Sequence, residues 1–395
     1  MKFRILFVHN AYQQHGGEDS VVDSEIDMLR SHGHPVESYL RHNDDIPDLS
    51  RLHLAYQTLW SARTVDEVSA LIGSFQPDVI HAHNTFPLIS PSLYWAASRA
   101  RVPIVQTLHN FRLLCPQAML LRNGRVCEDC LGHLPWRGVT RRCYRTSASQ
   151  SAVLAAMLTL HRVLGTNATK VTRFIALNSF CREKFIAGGL PAHKVVVKPN
   201  FVDWPYVPTG RIESVETSET RPFLFVGRLS PEKGVDVLSQ ALHRAPYVQL
   251  RVAGEGFDAP HLHGQHGVTM LGALASEQVR TEMSSAIALV LPSIWYENFP
   301  RTLVEAFACG LPVIASRLGA MAELIEDGRT GLLFTPGDAA DLASKMAWAQ
   351  AHPDEMRTMG GRARQEYEAK YTPETNYRQL LAIYDDAIAA VKAES

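Results

Sequence analysis

Two glutamates eight positions apart carry the most chemistry in this sequence. They lie in Leu291-Pro-Ser-Ile-Trp-Tyr-Glu-Asn-Phe-Pro-Arg-Thr-Leu-Val-Glu-Ala-Phe-Ala-Cys-Gly-Leu-Pro312, where Glu297 precedes Pro300 and Glu305 follows it. The start and stop signals predict a buried strand ending at Pro292, a loop, a helix opened by Pro300 and a close at Gly310 and Pro312. Glu297 is then expected at a helix N-terminus and Glu305 about two turns inside, roughly 10 Å apart along the axis. Such a separation suits a sugar ring and a ribose joined through a diphosphate. Free N–H groups of Asn298, Phe299 and Arg301, on either side of Pro300, would face that diphosphate, where the helix dipole favours negative charge. Read alone, the pair is equally an acidic helix start and a solvated helical glutamate.

A second group lies in Phe223-Leu-Phe-Val-Gly-Arg-Leu-Ser-Pro-Glu-Lys-Gly234, where a strand runs into Gly227 and then presents Arg228 and Lys233 at a strand-to-helix turn. Two cations so placed can hold two phosphates, with charge-assisted bonds of ~1.5–3 kcal/mol each. A lysine at a helix start opposes the dipole, so an anion is expected to compensate it. His109, in Gln106-Thr-Leu-His-Asn110, ends an apolar strand and is either a ligand contact or a hydrogen-bonded strand-end residue. His81 and His83 read as structural, and Gly16-Gly17 after the first strand reads as a flexible loop. Gly254-Glu255-Gly256-Phe257-Asp258-Ala259 has the outline of a dinucleotide fingerprint, but Pro260 and Gly264 leave no room for the long helix that motif requires.

Cys115, Cys127, Cys130 and Cys143 form a Cys-x11-Cys-x2-Cys-x12-Cys array in a segment poor in apolar residues. A structural zinc would suit four thiols so spaced; separately packed reduced thiols are the alternative. Residues 101–145 hold eight Arg against Glu128 and Asp129, a local charge of +6, and Leu134, Pro135 and Trp136 stand beside Arg137. Such a face could rest on an anionic membrane surface.

These residues need elements to hold them. At 395 residues the chain favours two domains. Strands are expected at Phe3–His9, Pro35–Tyr39, Asp78–His83, Val102–Leu108, Phe174–Asn178 and Val195–Lys198, then at Phe223–Gly227, Val248–Ala253, Ala286–Pro292 and Pro312–Ser316. Helices fall between them, among others at Val21–Ser31, Pro91–Arg99 and Ser151–Leu164, and the last spans Glu374–Lys392. The fold class is therefore α/β, two Rossmann-like domains facing each other across a cleft, with ligands at the carboxyl ends of the strands. The expected bounds are residues 1–200 with a Cys-rich insert at about 111–145, then 201–372, then a terminal helix at 373–395 packing back toward the first domain. Polar residues Pro208 to Arg221 read as a linker. Net charge is −1, which excludes a nucleic-acid binder by bulk charge, although residues 1–200 carry +7 and residues 201–395 carry −8. The opening Met-Lys-Phe-Arg runs straight into a strand without a signal-peptide core, and no run reaches the ~20 apolar residues of a membrane span. A cytoplasmic protein, touching at most the inner face of a membrane, is expected.

Taken together, the Glu297/Glu305 pair, the Gly-Arg-Leu and Glu-Lys-Gly turn, the Gly-Leu-Pro-Val-Ile-Ala strand and the Gly16-Gly17-Glu18 loop resemble a retaining GT-B glycosyltransferase of family 4. The resemblance implies that Arg228 and Lys233, beside Gly227, hold the donor diphosphate, Glu297 the donor sugar and Glu305 the ribose. It also implies that Gly16 and Gly17 approach the donor phosphate by backbone, that His109 contacts the sugar near its anomeric carbon, and that the loop of Gly254 and Glu255 lies near the nucleobase. The first domain would bind the acceptor and the second the donor. The implied reaction moves a hexose-type unit from a nucleotide-diphosphate sugar to a hydroxyl of a glycan or lipid-linked glycan, in cell-surface polysaccharide or glycoconjugate synthesis. No Asp-x-Asp pair follows a strand, so no catalytic cofactor is expected. An epimerase or phosphorylase of the same fold is one rival; a silent sugar-nucleotide-binding partner is another, but Glu297, Arg228 and Lys233 are all present.

Overall fold

In a computed structural model the structure describes residues 2–14, 16–204 and 221–393. The strands are near-continuous apolar runs because each is buried on both faces, as parallel sheets require. Strand β1 (Ile5–Ala11) shows this directly, with every position buried except the last. It is followed by α1 (Gly17–Ser31), β2 (Val36–His42), α2 (Arg51–Leu59), α3 (Ala62–Phe75), β3 (Val79–Ala82), α4 (Ser92–Arg99) and β4 (Ile104–Leu108). A two-strand hairpin, β5 (Leu121–Arg122) with β6 (Arg125–Val126), precedes α5 (Trp136–Thr140), α6 (Ala148–Val163), α7 (Thr166–Thr169), β7 (Arg173–Ala176), α8 (Ser179–Ala187) and β8 (Val195–Val197). The first sheet has the order β2-β1-β3-β4-β7-β8, parallel throughout.

The second series comprises β9 (Phe223–Val226), α9 (Val235–Arg244), β10 (Leu250–Ala253), β11 (Val268–Gly272), α10 (Ser276–Ser285), β12 (Leu289–Leu291), α11 (Arg301–Ala308), β13 (Val313–Ser316), α12 (Gly319–Leu324) and β14 (Gly331–Phe334). Helices α13 (Ala339–Ala351), α14 (Pro353–Lys370) and α15 (Pro373–Ala393) end the chain. The sheet order is β11-β10-β9-β12-β13-β14, again parallel. Alternation along β9 divides the core: Phe223 and Phe225 pack with Leu238 and Leu342 on one face, Leu224 with Phe307 and Tyr367 on the other.

Two compact units result. One comprises Met1–Leu120, Glu128–Asn200 and Asn376–Ser395; the other comprises Leu121–Cys127 and Phe201–Thr375. Within the first, α15 is tied down by Asn376 Nδ2, which donates to Pro199 O (2.7 Å), and by Tyr384, whose hydroxyl meets His81 Nδ1 at 2.7 Å.

Several sequence expectations shift. The sequence reading has no counterpart for β11, β14 and the hairpin. Helix α1 begins at Gly17 rather than Val21, so the glycine pair is the helix start and not a free loop: Gly16 is the cap, and its N–H donates to Asp19 Oδ2 (2.7 Å). The linker expected at 208–221 lies outside the described residues, apart from Arg221.

Candidate active site

Each sheet reverses its strand order once, between β1 and β3 in the first unit and between β9 and β12 in the second. Ligands of open parallel sheets bind at such switch points, outside the carboxyl ends of the strands. In the second unit those ends release the loops 227–234 and 292–300, which hold the Arg228/Lys233 group and Glu297.

The two loops are locked together by backbone. Gly234 has φ +73°, and a Cβ there would lie 1.9 Å from Pro292 O; Ile294 N donates to Glu232 O at 3.0 Å. The loop after β10 is joined in the same way. Gly254, at φ +145°, would push a Cβ to 1.9 Å from Gly227 O, while Leu229 N donates to Glu255 O at 2.8 Å. Only glycine permits approaches this close.

The anion that Lys233 needs is Glu297. Lys233 Nζ donates to Glu297 Oε1 at 2.7 Å, Ser293 Oγ donates to the same oxygen at 2.7 Å, and the Lys233 ammonium lies 5.8 Å from the centre of the Trp295 ring. Burial opposes ionisation of Glu297, but the Lys233 charge and the hydrogen bonds from Lys233 and Ser293 outweigh it and hold the carboxyl below its ordinary range. Arg228 differs: its side chain is 67% exposed, and its nearest anion is Glu232 at 3.2 Å. Ser230 Oγ also donates to Glu232, at 2.7 Å.

Helix α11 corrects one sequence expectation. It begins at Arg301 with Pro300 as its cap residue, so Glu297 sits in the preceding loop, and Glu305 lies little more than one turn inside. The 10 Å axial estimate fails because residues 297–300 are not helical. No acidic side chain occupies the first turn of α11, leaving that dipole end uncompensated by its own helix. Asn298 is buried there and Phe299 stands edge-on to Tyr371 (6.1 Å). Glu305 accepts from Arg301 Nε at 3.0 Å; burial raises its pKa against the opposing pull of Arg301. As expected for Gly254 to Ala259, only a single 3₁₀ turn, Ala259–His261, follows that loop.

In the first unit Gly17 has open space where a side chain would be, so the start of α1 is sterically bare. Its acidic first turn is engaged internally. Asp19 Oδ1 meets His9 Nε2 at 2.9 Å, and Glu18 accepts from the Tyr12 hydroxyl at 2.9 Å; burial, with Asp19 alongside, pushes Glu18 up to about 7. His109 follows β4 and its Nε2 lies 2.8 Å from His83 Nδ1. Burial, reinforced by neighbouring histidines and Lys198, drives both rings well below their ordinary pKa, so both are neutral. His81 and His83 belong to a fully buried group with Glu25 and Lys198, whose Nζ donates to Glu25 Oε1 at 2.7 Å. The sequence reading missed Ser293, Glu232, Glu25 and Lys198. Glu25 alone carried a signal, because it interrupts the apolar stripe Val22-Ile26-Leu29 of α1.

Two doubly wound parallel units in one chain, one with paired cations and a buried glutamate at its switch point, define the GT-B class of transferase. Residues 16–200 match the glycosyl transferase 4-like domain, and residues 210–366 match the glycosyl transferases group 1 domain; the chain is a glycosyltransferase of GT-B type. It is 26% identical over 335 residues to a D-inositol 3-phosphate glycosyltransferase of Mycobacterium marinum, covering 79% of this chain and 64% of that protein's length. Among solved structures it is similar to sucrose-phosphate synthase from Thermosynechococcus elongatus, with TM-score 0.72 and 20% identity over 98% of this chain and 99% of the other. It is likewise similar to Anabaena HepE in complex with UDP-glucose, with TM-score 0.66 and 21% identity over the whole of both chains. No helix among the described residues is long and apolar enough to cross a membrane.

Proposed function

We propose that this chain transfers a sugar, with retention of configuration, from a nucleoside-diphosphate donor to a hydroxyl of a glycan or lipid-linked glycan at the inner face of a membrane. The observation that carries the reading is the Lys233–Glu297–Ser293 cluster beside the bare start of α11. In this reading Lys233 and Arg228 receive the diphosphate, and Glu297, kept ionised, accepts hydrogen bonds from the donor sugar. Glu305 accepts from the ribose hydroxyls, and the loop at Gly254 and Glu255 borders the base. The bond from the anomeric carbon to the diphosphate oxygen breaks, the acceptor oxygen bonds to that carbon, and the acceptor proton passes to the departing phosphate oxygen. Lys233, Arg228 and the α11 N–H groups stabilise the charge that accumulates on the leaving group. UDP-glucose in the HepE structure supports a uridine nucleotide as the first donor to try.

A panel of nucleotide sugars tests this, with nucleoside diphosphate release measured with and without an acceptor alcohol. Release that depends on the alcohol is expected. Release that depends instead on inorganic phosphate would favour a phosphorylase, and interconversion of the sugar without release an epimerase.

Two further parts of the reading concern the segment before α6. Leu134 and Trp136 are exposed, and they sit beside Arg137 and Arg141, both of which contact Asp129, and beside Arg142. This face is proposed to meet anionic lipid. Cys115 is buried, Cys127, Cys130 and Cys143 are partly buried, and the described cysteines form no disulfide. These four thiols are proposed to hold a structural zinc that takes no part in transfer. Elemental analysis of reduced protein that finds neither zinc nor iron would remove it.

A further inference from the structure

Glu25, His81, His83 and Lys198 take no part in the chemistry above, yet all four are fully buried and His83 is bonded to His109. Their ligand-type atoms invite a metal reading, because Glu25, His81 and His83 place a carboxylate oxygen and two ring nitrogens within 4.8 Å of one another. The position is already filled. Lys198 supplies the positive charge at 2.7 Å from Glu25, and both His81 nitrogens are engaged, Nε2 with Thr107 Oγ1 (2.8 Å) and Nδ1 with the Tyr384 hydroxyl (2.7 Å).

What remains is a chain of two rings whose protons can be assigned. Glu25 Oε2 and His83 Nε2 are buried, lack hydrogen-bond partners and face each other at 3.6 Å. A ring lone pair set against a carboxylate oxygen would repel it in a site without water, whereas an N–H is attracted. His83 therefore carries its proton on Nε2, and its Nδ1 is left as an acceptor. The ring centroids of His83 and His109 are 5.1 Å apart with planes 18° apart, the arrangement of rings meeting edge to edge in one plane. The 2.8 Å bond between them must then be donated by His109 Nε2. A neutral imidazole has one proton, so His109 Nδ1 bears none, and that atom has no protein partner among the described residues.

We infer that Glu25, acting through His83, fixes His109 as its Nε2–H tautomer and makes Nδ1 an obligate hydrogen-bond acceptor, so that His109 selects a hydroxyl of the ligand and rejects a phosphate oxygen. Glu25, His83 and Lys198 are positioning residues. The tautomer stands on the ring geometry together with the neutrality that burial imposes on both rings, while its use on a sugar rests on the function proposed above.

Long-range proton–nitrogen NMR of the full chain with nitrogen-15 histidine reads this directly, His109 being assigned by comparison with His109→Gln. A bare Nδ1 and a protonated Nε2 are expected for His109. In Glu25→Gln, the amide oxygen keeps Lys198 and the amide N–H₂ turns to His83 Nε2; both rings then invert, and His109 becomes Nδ1–H. A wild-type His109 that is doubly protonated or carries its proton on Nδ1 overturns the inference, as does a folded Glu25→Gln variant with unchanged tautomers. Should that variant not fold, the wild-type spectrum still decides. With a working donor, one member of a monodeoxy series should lose kcat/KM by ~10–10²-fold in the wild type and by much less in Glu25→Gln. If no sugar nucleotide turns over, the transferase reading fails while the tautomer result stands.

Discussion

The two switch points solve one problem in opposite ways. In the second unit, charge is kept: Lys233 pairs with Glu297 and Arg228 with Glu232, and Glu297 stays ionised against burial because Lys233 touches it. In the first unit, charge is removed: His83 and His109 are neutral, and the fully buried ion pair of Lys198 with Glu25 is closed on itself. On the function proposed above, the second site receives a diphosphate, and a carboxylate partner holds its cations in place beforehand. On the same proposal the first site grips hydroxyl groups, which calls for direction rather than charge. The contrast assigns electrostatics to one sheet and hydrogen-bond polarity to the other.

The contrast breaks most easily at Lys233. Lys233→Ala removes the cation and strands Glu297 without its ammonium partner, so kcat/KM should fall by ~10³-fold or more, about 4 kcal/mol. Near wild-type turnover would take Lys233 out of the mechanism. Gly234→Ala should cost roughly 3 kcal/mol of stability in the second unit, because the new Cβ meets Pro292 O at 1.9 Å at a positive φ; calorimetry showing an unshifted transition would mean that the two loops are not locked as described. Arg228→Ala should lose ~10²-fold in kcat/KM, about 2.7 kcal/mol and less than Lys233, since Arg228 is mostly exposed and leaves no buried carboxylate behind. Equal losses at both positions would erase the distinction drawn between them.

Acid should separate the units. Burial lowers the pKa of His81 to about 4, and those of His83 and His109 well below the ordinary value of 6.5. The unfolded chain then binds protons between about 6.5 and 4 that the folded one refuses, so the stability of the first unit falls as pH drops through that window. Glu18, raised to about 7, acts in the opposite sense, one carboxyl against these three rings and the likewise lowered His34 and His161. Glu297, with its lowered pKa, costs the second unit nothing until pH falls below the ordinary carboxylate range, while Glu305, with its raised pKa, gains on acidification. Tm should therefore fall by roughly 10 °C between pH 6.5 and 4.5 in the transition of the first unit, and by less in His81→Gln. A flat profile in that transition would contradict the neutral-histidine account. The smallest effect concerns lipid: binding to anionic but not neutral vesicles, reversed by salt and weakened by changing Arg137, Arg141 and Arg142 to Glu, is expected from ~1 kcal/mol per arginine. Because Asp129 already contacts two of these side chains, the binding should be weak, and equal recovery in both supernatants would remove it.

The alternating βα pattern was readable because strands buried on both faces are continuous apolar runs; β1, β4 and β9 stand out for that reason. Strands β11 and β14 did not, since Val268-Thr-Met-Leu-Gly272 and Gly331-Leu-Leu-Phe334 are short and have the composition of loops or helices. The sequence demanded an anion for Lys233 but could not name one. Glu297 is 64 residues away, and only the sheet order brings the two loops together. Glu25 shows the same limit more sharply. Its place on a buried helical stripe could be counted out along α1, yet its partners come from β3, the end of β8 and α15, which no local spacing reveals.

Helix α15 also bears on the order in which the protein is made. The first unit takes Asn376–Ser395 into its fold, whereas the second draws almost entirely on the continuous stretch Phe201–Thr375. During synthesis the fragment of residues 1–200 therefore waits with His81 unroofed, because Tyr384, which covers it, is translated only after the whole of the second unit. The second unit can complete its core before the first does, so folding runs against the direction of translation. A ribosome-stalled chain ending before Pro373 should resist protease over residues 221–372 while residues 2–200 are still cut.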